Sequence, residues 1–571
     1  MADSRMHMSR RDLLKLGLLG TAALYLPVER VARASDWEGL RPAFNPYTKI
    51  FSAIPSETTY PRLSGDVLDL RPLGNLAHTP IECEMRRDSA NILGYSGTTR
   101  LTEVWNYFFK DPTSGAWLRN PTIHVDKGQE IWVRQRNLLP NQVSVHLHGS
   151  GSKPQYDGYA SDIIPPNHYK NYVYPNQQGA RTLWYHDHGE HYTATNAYKG
   201  LAGQYHLHDA AETKLGTDKG LPTGAYDFPL TIRDAIFNSN GSLRYDDEGH
   251  SSLMGDVIVC NGVPWPNLRV ERRMYRFRVL NASLSRSFNF RLNDPNVTGS
   301  KAKMWIVASD GGFLQSPVPV TSWRHGMAER YEVVIDFSKC TRPVDLVSGE
   351  VKNNVDYLHT RKIMRFTPVG AEVTGLKRDF VTTDFYQYYK DGTVTQSKDP
   401  LTGQPYLLPH EITALASATN VPRRRLEFER GNGMWTVNDK TWADVKSSGY
   451  KDVGDRAPKL GDVEIWNFEN GSGGWFHPIH VHQVDFVLTR RSERSLAAYE
   501  KGPKDVAYVG ENETATAVMK FGPHEGRYMI HCHNLVHEDH DMMAQFRVGT
   551  DKPDNDPMYA AKATTTPTQR I

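Results

Sequence analysis

Eight of the 23 histidines in this chain fall into four His-x-His pairs: His146/His148, His186/His188, His480/His482 and His531/His533, the last bracketing Cys532. On a β-strand successive side chains alternate faces, so the two imidazoles of a pair share one face and the residue between them takes the other. Brought together, the four pairs offer enough nitrogens for a cluster of several metal ions. The Cys532 thiol then looks toward a second site, one residue away along the same backbone. That second site can be assembled from the segments 477–482, HPIHVH, and 531–543, HCHNLVHEDHDMM. His477, Cys532 and His537 supply two imidazoles and a thiolate, with the Met542 thioether nearby, the donor set of an electron-transfer copper site. An imidazole cluster suits zinc as well as copper, but a structural zinc ion needs only four ligands. Twelve candidates on two connected sites exceed that need, and they point to copper.

The elements that must position these residues come from the two ends of the chain, since two pairs lie at 146–188 and two at 477–533. A length of 571 residues exceeds what one core holds, and roughly 150 residues per domain suggests three or four domains. Three fits the layout, with divisions at 36–212, 213–375 and 376–549. The stretch PTIHVDKGQEIWVRQRNLLP (121–140) predicts two short strands around a KGQE turn. GLAGQYHLH (200–208) reads as a closing strand, followed by the polar DAAETKLGTDKG; RRMYRFRVLNAS (272–283) and RYEVVIDFS (330–338) are strand-like as well. Many strands and few helical periods predict an all-β chain of stacked sandwiches.

The N-terminus carries SRRDLLK (9–15), then the apolar LGLLGTAALYLPV, then Ala-Arg-Ala ending at Ala34. A double arginine, a short apolar run and a small-residue cleavage site predict a twin-arginine signal peptide over 1–34. The apolar run is shorter than the about 20 residues a membrane span needs. The mature protein is therefore expected to be bacterial, soluble, and periplasmic or extracellular. Four cysteines are present; with Cys532 on copper, Cys83, Cys260 and Cys340 allow at most one intrachain disulfide, of undecided connectivity. A net charge of +2, with charges spread along the chain, gives no nucleic-acid footprint. The tail 550–571, rich in Pro, Thr and polar residues, is expected to be flexible.

The segments HLHG (146–149), HDH (186–188), HPIHVH and HCHNLVHEDHDMM resemble the copper motifs of the multicopper oxidases. The last, with GGWFHPIHVHQVDF (473–486), is most similar to bilirubin oxidases and bacterial spore-coat-type laccases, and the resemblance spans nearly all of the chain after residue 36. It implies three cupredoxin-like Greek-key β-sandwich domains, with a type 1 copper inside the third and a trinuclear cluster between the first and third. The implied type 1 ligands are His477, Cys532, His537 and Met542. His146 and His480 would hold the type 2 copper; His148, His186, His188, His482, His531 and His533 would hold the type 3 pair. Four copper ions would take electrons from a phenolic, aromatic-amine or tetrapyrrole reductant and pass them through Cys532 to dioxygen, in a monomeric enzyme without a membrane span.

Two acids match family positions as proton donors: Asp157, in the YDG after HLHG, and Glu538, just after His537. Each has a plainer reading, a turn at Asp-Gly for the first and a hydrogen-bond acceptor for a ligand imidazole for the second. Met543 is the wrong-register neighbour of Met542, and His540 sits in the same segment. Trp475 is either a core aromatic or a substrate contact above His477. Histidines such as His191, His250, His325, His410 and His524 lack a partner at strand spacing. Two alternatives share the fold: a cuprous oxidase of copper tolerance, against which the 15 mostly scattered methionines argue, and a copper-free structural relative, against which the full ligand set argues.

Overall fold

Strand Ile131–Asn137 alternates buried and half-buried residues along its length, as a strand at the face of a sandwich should. Strands Val145–His148, Arg181–Asp187 and His477–Val481 are instead buried on both faces. One face of each packs into a sandwich core, and the other carries histidines. The computed structural model describes residues 46–94, 101–293, 303–454, 456–550, 557 and 568–570. The export signal expected at 1–34 and most of the tail expected beyond 550 lie outside these residues.

The chain is all-β, with the strands of the described residues in six sheets. Between residues 67 and 208 a five-stranded sheet, ordered Val67–Asp69, Thr122–Asp126, Ala202–His208, Arg181–Asp187 and Val145–His148, faces a six-stranded one. Ile123, Val133, Leu147, Tyr185 and Leu207 fill the space between them. The strands predicted in 121–140 and 200–208 appear here, as Thr122–Asp126, Ile131–Asn137 and Ala202–His208. Residues 227–372 supply most of a seven-stranded and a six-stranded sheet around a second core, with Met274–Asn281 paired antiparallel to Arg330–Asp336. Residues 423–548 supply a six-stranded sheet and a four-stranded one ordered Val506–Val509, His477–Val481, Gly526–Cys532 and Met543–Val548. Phe468, Ile479, Phe486, Met519 and Ile530 belong to the core between them.

Several connections carry helical structure. The polar stretch after His208 is a helix, Ala210–Lys219, whose N-cap Asp209 accepts a hydrogen bond from the Glu212 amide; Gly220, at φ 78°, closes it. Its Asp-x-x-Glu start and Gly end are the local signals for that helix. Between residues 372 and 423, short helices bring Phe380, Tyr386, Tyr389 and Leu408 against Leu215, Met274 and Phe313. Thr568–Arg570 adds an edge strand antiparallel to His168–Tyr174, so part of the tail segment has regular backbone. Cys83, Cys260 and Cys340 are buried and no disulfide joins them. Among the described residues no helix is long and apolar enough to cross a membrane.

Candidate metal centre

The four pairs occupy strand ends. His146 and His148 lie within Val145–His148, whereas His186, His480 and His531 lie within strands and His188, His482 and His533 follow one or two residues later. Strand pairing sets them side by side: His186 pairs with His146, and His480 with His531. All eight are buried. His146 Nε2 lies 3.3 Å from His480 Nε2. His531 Nε2 lies 3.2 Å from both His188 Nε2 and His482 Nε2. His148, His186 and His533 form a further group whose candidate ligand atoms are within 4.8 Å of one another. His148 also lies within 4.8 Å of His146 and His480, so the eight histidines form overlapping groups between the first and third sandwiches.

The protein fixes the outer nitrogen of many of these rings. His480 Nδ1 donates to the Asp505 carbonyl at 2.8 Å, His186 Nδ1 to the Asp187 carbonyl at 2.7 Å, and His482 Nδ1 to Asp157 Oδ2 at 2.7 Å. His146 Nδ1 donates to the Asp157 carbonyl. His148 uses Nε2, 3.2 Å from Asp505 Oδ1, and its Nδ1 is buried without a partner. Such outer contacts choose the tautomer and aim the other nitrogen inward.

Asp157 ends a 3-10 turn, Pro154–Tyr156, and Gly158 follows at φ 77°, so the turn reading holds. Its carboxylate nevertheless reaches the cluster through His482. Burial pushes the Asp157 carboxyl well above the usual carboxylate range, which favours its protonated form. Glu538, in helix Leu535–Asp539, places Oε2 2.9 Å from His531 Nδ1 and Oε1 3.5 Å from His188 Nε2. Burial pushes its carboxyl up, but His531 and His188 outweigh burial and hold it below the usual range.

On the opposite face of the same backbone, Cys532 Sγ is 3.3 Å from His477 Nδ1 and 3.6 Å from His537 Nδ1. The outer nitrogens are held by Ser472 Oγ at 2.9 Å on His477, and by the Ser251 carbonyl at 2.9 Å on His537. Met542 is buried in the same core cluster as Cys532, while Met543 packs in another with Tyr159 and Trp442. His540 donates Nδ1 to the Val536 carbonyl at 2.7 Å and stacks on His250 at 3.6 Å, facing away from these donors. Trp475 is half-buried and edge-on to His537, at 5.5 Å. A contact that sequence reasoning missed is Trp435, stacked flat on His537 at 3.7 Å. Asp505, Ser472 and Asn534 were missed as well. Only Asn534, next to the HCH motif, carried a signal.

The donors fit copper. Two nitrogens at about 2.0–2.1 Å from one first-row ion stand about 3.3 Å apart at a tetrahedral angle, close to the separations found here. His148 Nδ1, His186 Nε2, His188 Nδ1 and both nitrogens of His533 are buried without hydrogen-bond partners. Such orphans cost roughly 1–3 kcal/mol each, a loss that a bound ion removes for the one nitrogen of each ring that ligates it. Burial lowers the pKa of His477 to about 3 and of His188 to about 4, so these imidazoles are neutral, as ligation requires. Burial pushes the Cys532 thiol up, so the thiolate needs a cation beside it.

Three family models, each described as multicopper oxidase, match residues 114–212, 198–345 and 427–552. A bilirubin oxidase of Albifimbria verrucaria is 40% identical over 436 residues, covering 75% of this chain and 70% of that protein. A laccase of Bacillus subtilis (strain 168) is 30% identical over 511 residues, covering 77% and 89%. Among solved structures, the McoA multicopper oxidase of Aquifex aeolicus superposes with a TM-score of 0.69 at 23% identity, over 85% of this chain and 98% of that one.

Proposed function

This chain belongs to the multicopper oxidase family, and from that premise we propose that its twelve donors hold the four coppers as one type 1, one type 2 and a type 3 pair. The observation that carries the assignment is the grouping of the donors. His477, Cys532 and His537 form one set; His146 faces His480; and two trios remain, His148/His186/His533 and His188/His482/His531. Met542, buried in the same core cluster as Cys532, would add a thioether to the type 1 set. The coppers supply one-electron oxidation of a reductant at one end and four-electron reduction of dioxygen to water at the other.

The protein's own residues do the rest. The stretch His531-Cys532-His533 joins the two donor sets covalently, so the two sites are one residue apart. Asp157, a buried carboxyl whose Oδ2 accepts from His482 and whose Oδ1 has no hydrogen-bond partner, would serve as a proton donor beside the cluster. Glu538, between His188 and His531, is the second proton relay. Trp435, itself buried, covers one face of His537, and the half-buried Trp475 stands edge-on to it, so the aromatic surface open to a reductant here is that of Trp475. This agrees with an aromatic reductant: a phenol, an aromatic amine or a tetrapyrrole, the last by analogy with the bilirubin oxidase relative. Export by the twin-arginine route to the periplasm or beyond is supported by Arg10-Arg11 and the Ala34 cleavage site.

Oxygen uptake by copper-loaded protein tests this. With a methoxyphenol or bilirubin as reductant, four electrons should be consumed per dioxygen without hydrogen peroxide. Uptake with cuprous ion alone, and with neither organic reductant, would replace this reading with the copper-tolerance one.

A further inference from the structure

The chain holds a fifth His-x-His pair, His206/His208, not counted among the four above. We propose that His206 and His208, with His124, form a separate site for a zinc ion. Strands Thr122–Asp126 and Ala202–His208 are parallel neighbours, with His206 paired directly to His124. Their alternate residues Ile123, Val125, Tyr205 and Leu207 enter the first core, so the three imidazoles share the opposite face. The candidate ligand nitrogens lie within 4.8 Å of one another.

Each ring is prepared for an ion. His206 is fully buried, hydrogen-bonds Gln204 Oε1 through Nε2 at 2.8 Å, and keeps Nδ1 buried without a partner. His208 donates Nδ1 to Glu212 Oε2 at 2.5 Å, the carboxylate–imidazole arrangement that orients metal ligands. Its Nε2 is 2.8 Å from His124 Nδ1, where the two share a proton; on an ion they open to about 3.3 Å. A hydrogen-bonded core trio would explain the His124–His208 contact but leaves His206 Nδ1 unsatisfied. His208 joins, through Glu212, a buried network that sets Glu212, Asp227 and Glu332 against Arg276 and Arg278. Burial keeps His206 neutral, and holds His124 at about 3. His208 keeps 11% of its side chain exposed and His124 is half-buried, which provides entry. His186 pairs with Ala202, four residues along the strand from His206, so the site stands about 13 Å from the cluster.

The test is zinc retention. Copper-loaded protein is equilibrated with excess Zn2+, desalted and analysed for both metals, alongside His124→Ala and His208→Ala. Wild type should retain one zinc per chain with its copper content unchanged, and zinc titration should show at least tenfold weaker binding in each variant. No zinc retained by wild type, or equal retention and affinity in all three proteins, overturns the proposal. The wild-type arm decides even if a variant fails to fold. Because the readout is the zinc difference, it stands whether or not the chain takes four coppers.

Discussion

The Cys532 thiol and the Met542 thioether set the chemistry of the type 1 site in different ways. Cys532 is indispensable, whereas a weak axial thioether tunes the site by stabilising the oxidised ion. Met542→Leu should therefore raise the type 1 potential, by about 60 mV if the relative affinity for the two oxidation states changes tenfold. An unchanged or lowered value in a redox titration would refute the axial assignment. Asp157→Asn and Glu538→Gln each remove an ionisable carboxyl beside the eight-histidine cluster while leaving the His477/Cys532/His537 set untouched. Anaerobic bleaching of the blue colour by substrate should keep its rate, and reoxidation by oxygen should slow by about 10²–10⁴-fold. Slowing of both phases would mean that the carboxylates only hold the ligands in place. The ligands were legible because strand spacing and donor type are local properties. Asp505 and Trp435 were not, since their contacts with His148, His480 and His537 exist only once the sheets pack.

At the level of elements, the site depends on strand ends held at a fixed distance from one another. Gly158 shows how little space there is: a Cβ on it would stand 2.6 Å from the Val145 carbonyl and 2.7 Å from the His146 Cα, at φ 77°. Gly158→Ala should destabilise the fold by at least about 1 kcal/mol and displace the strand that carries His146 and His148. Thermal unfolding together with a lowered copper content would show it; a variant with wild-type melting and four coppers would not fit. The strand predictions at 121–140, 200–208, 272–283 and 330–338 succeeded because alternation is encoded residue by residue. The helix Ala210–Lys219 was passed over because its polar composition masked a cap at each end.

For the whole molecule, the first and third sandwiches each supply half of the imidazoles, and the second braces them. Arg330 Nη2 lies 2.5 Å from Asp505 Oδ2, and Lys504 Nζ lies 2.8 Å from Asp310 Oδ2, buried pairs that tie the second sandwich to the residue beneath His148 and His480. The sequence motifs indicated which segments meet, but the grouping of the eight histidines needed the packed sheets. The most direct test of the account is a visible spectrum with metal analysis on copper-loaded protein, taken beside Cys532→Ser. The account predicts a thiolate-to-copper band at about 600 nm and four coppers per chain in wild type. It also predicts that Cys532→Ser loses the band while keeping the coppers of the eight-histidine cluster. A colourless wild type that takes up no copper after full loading would contradict it.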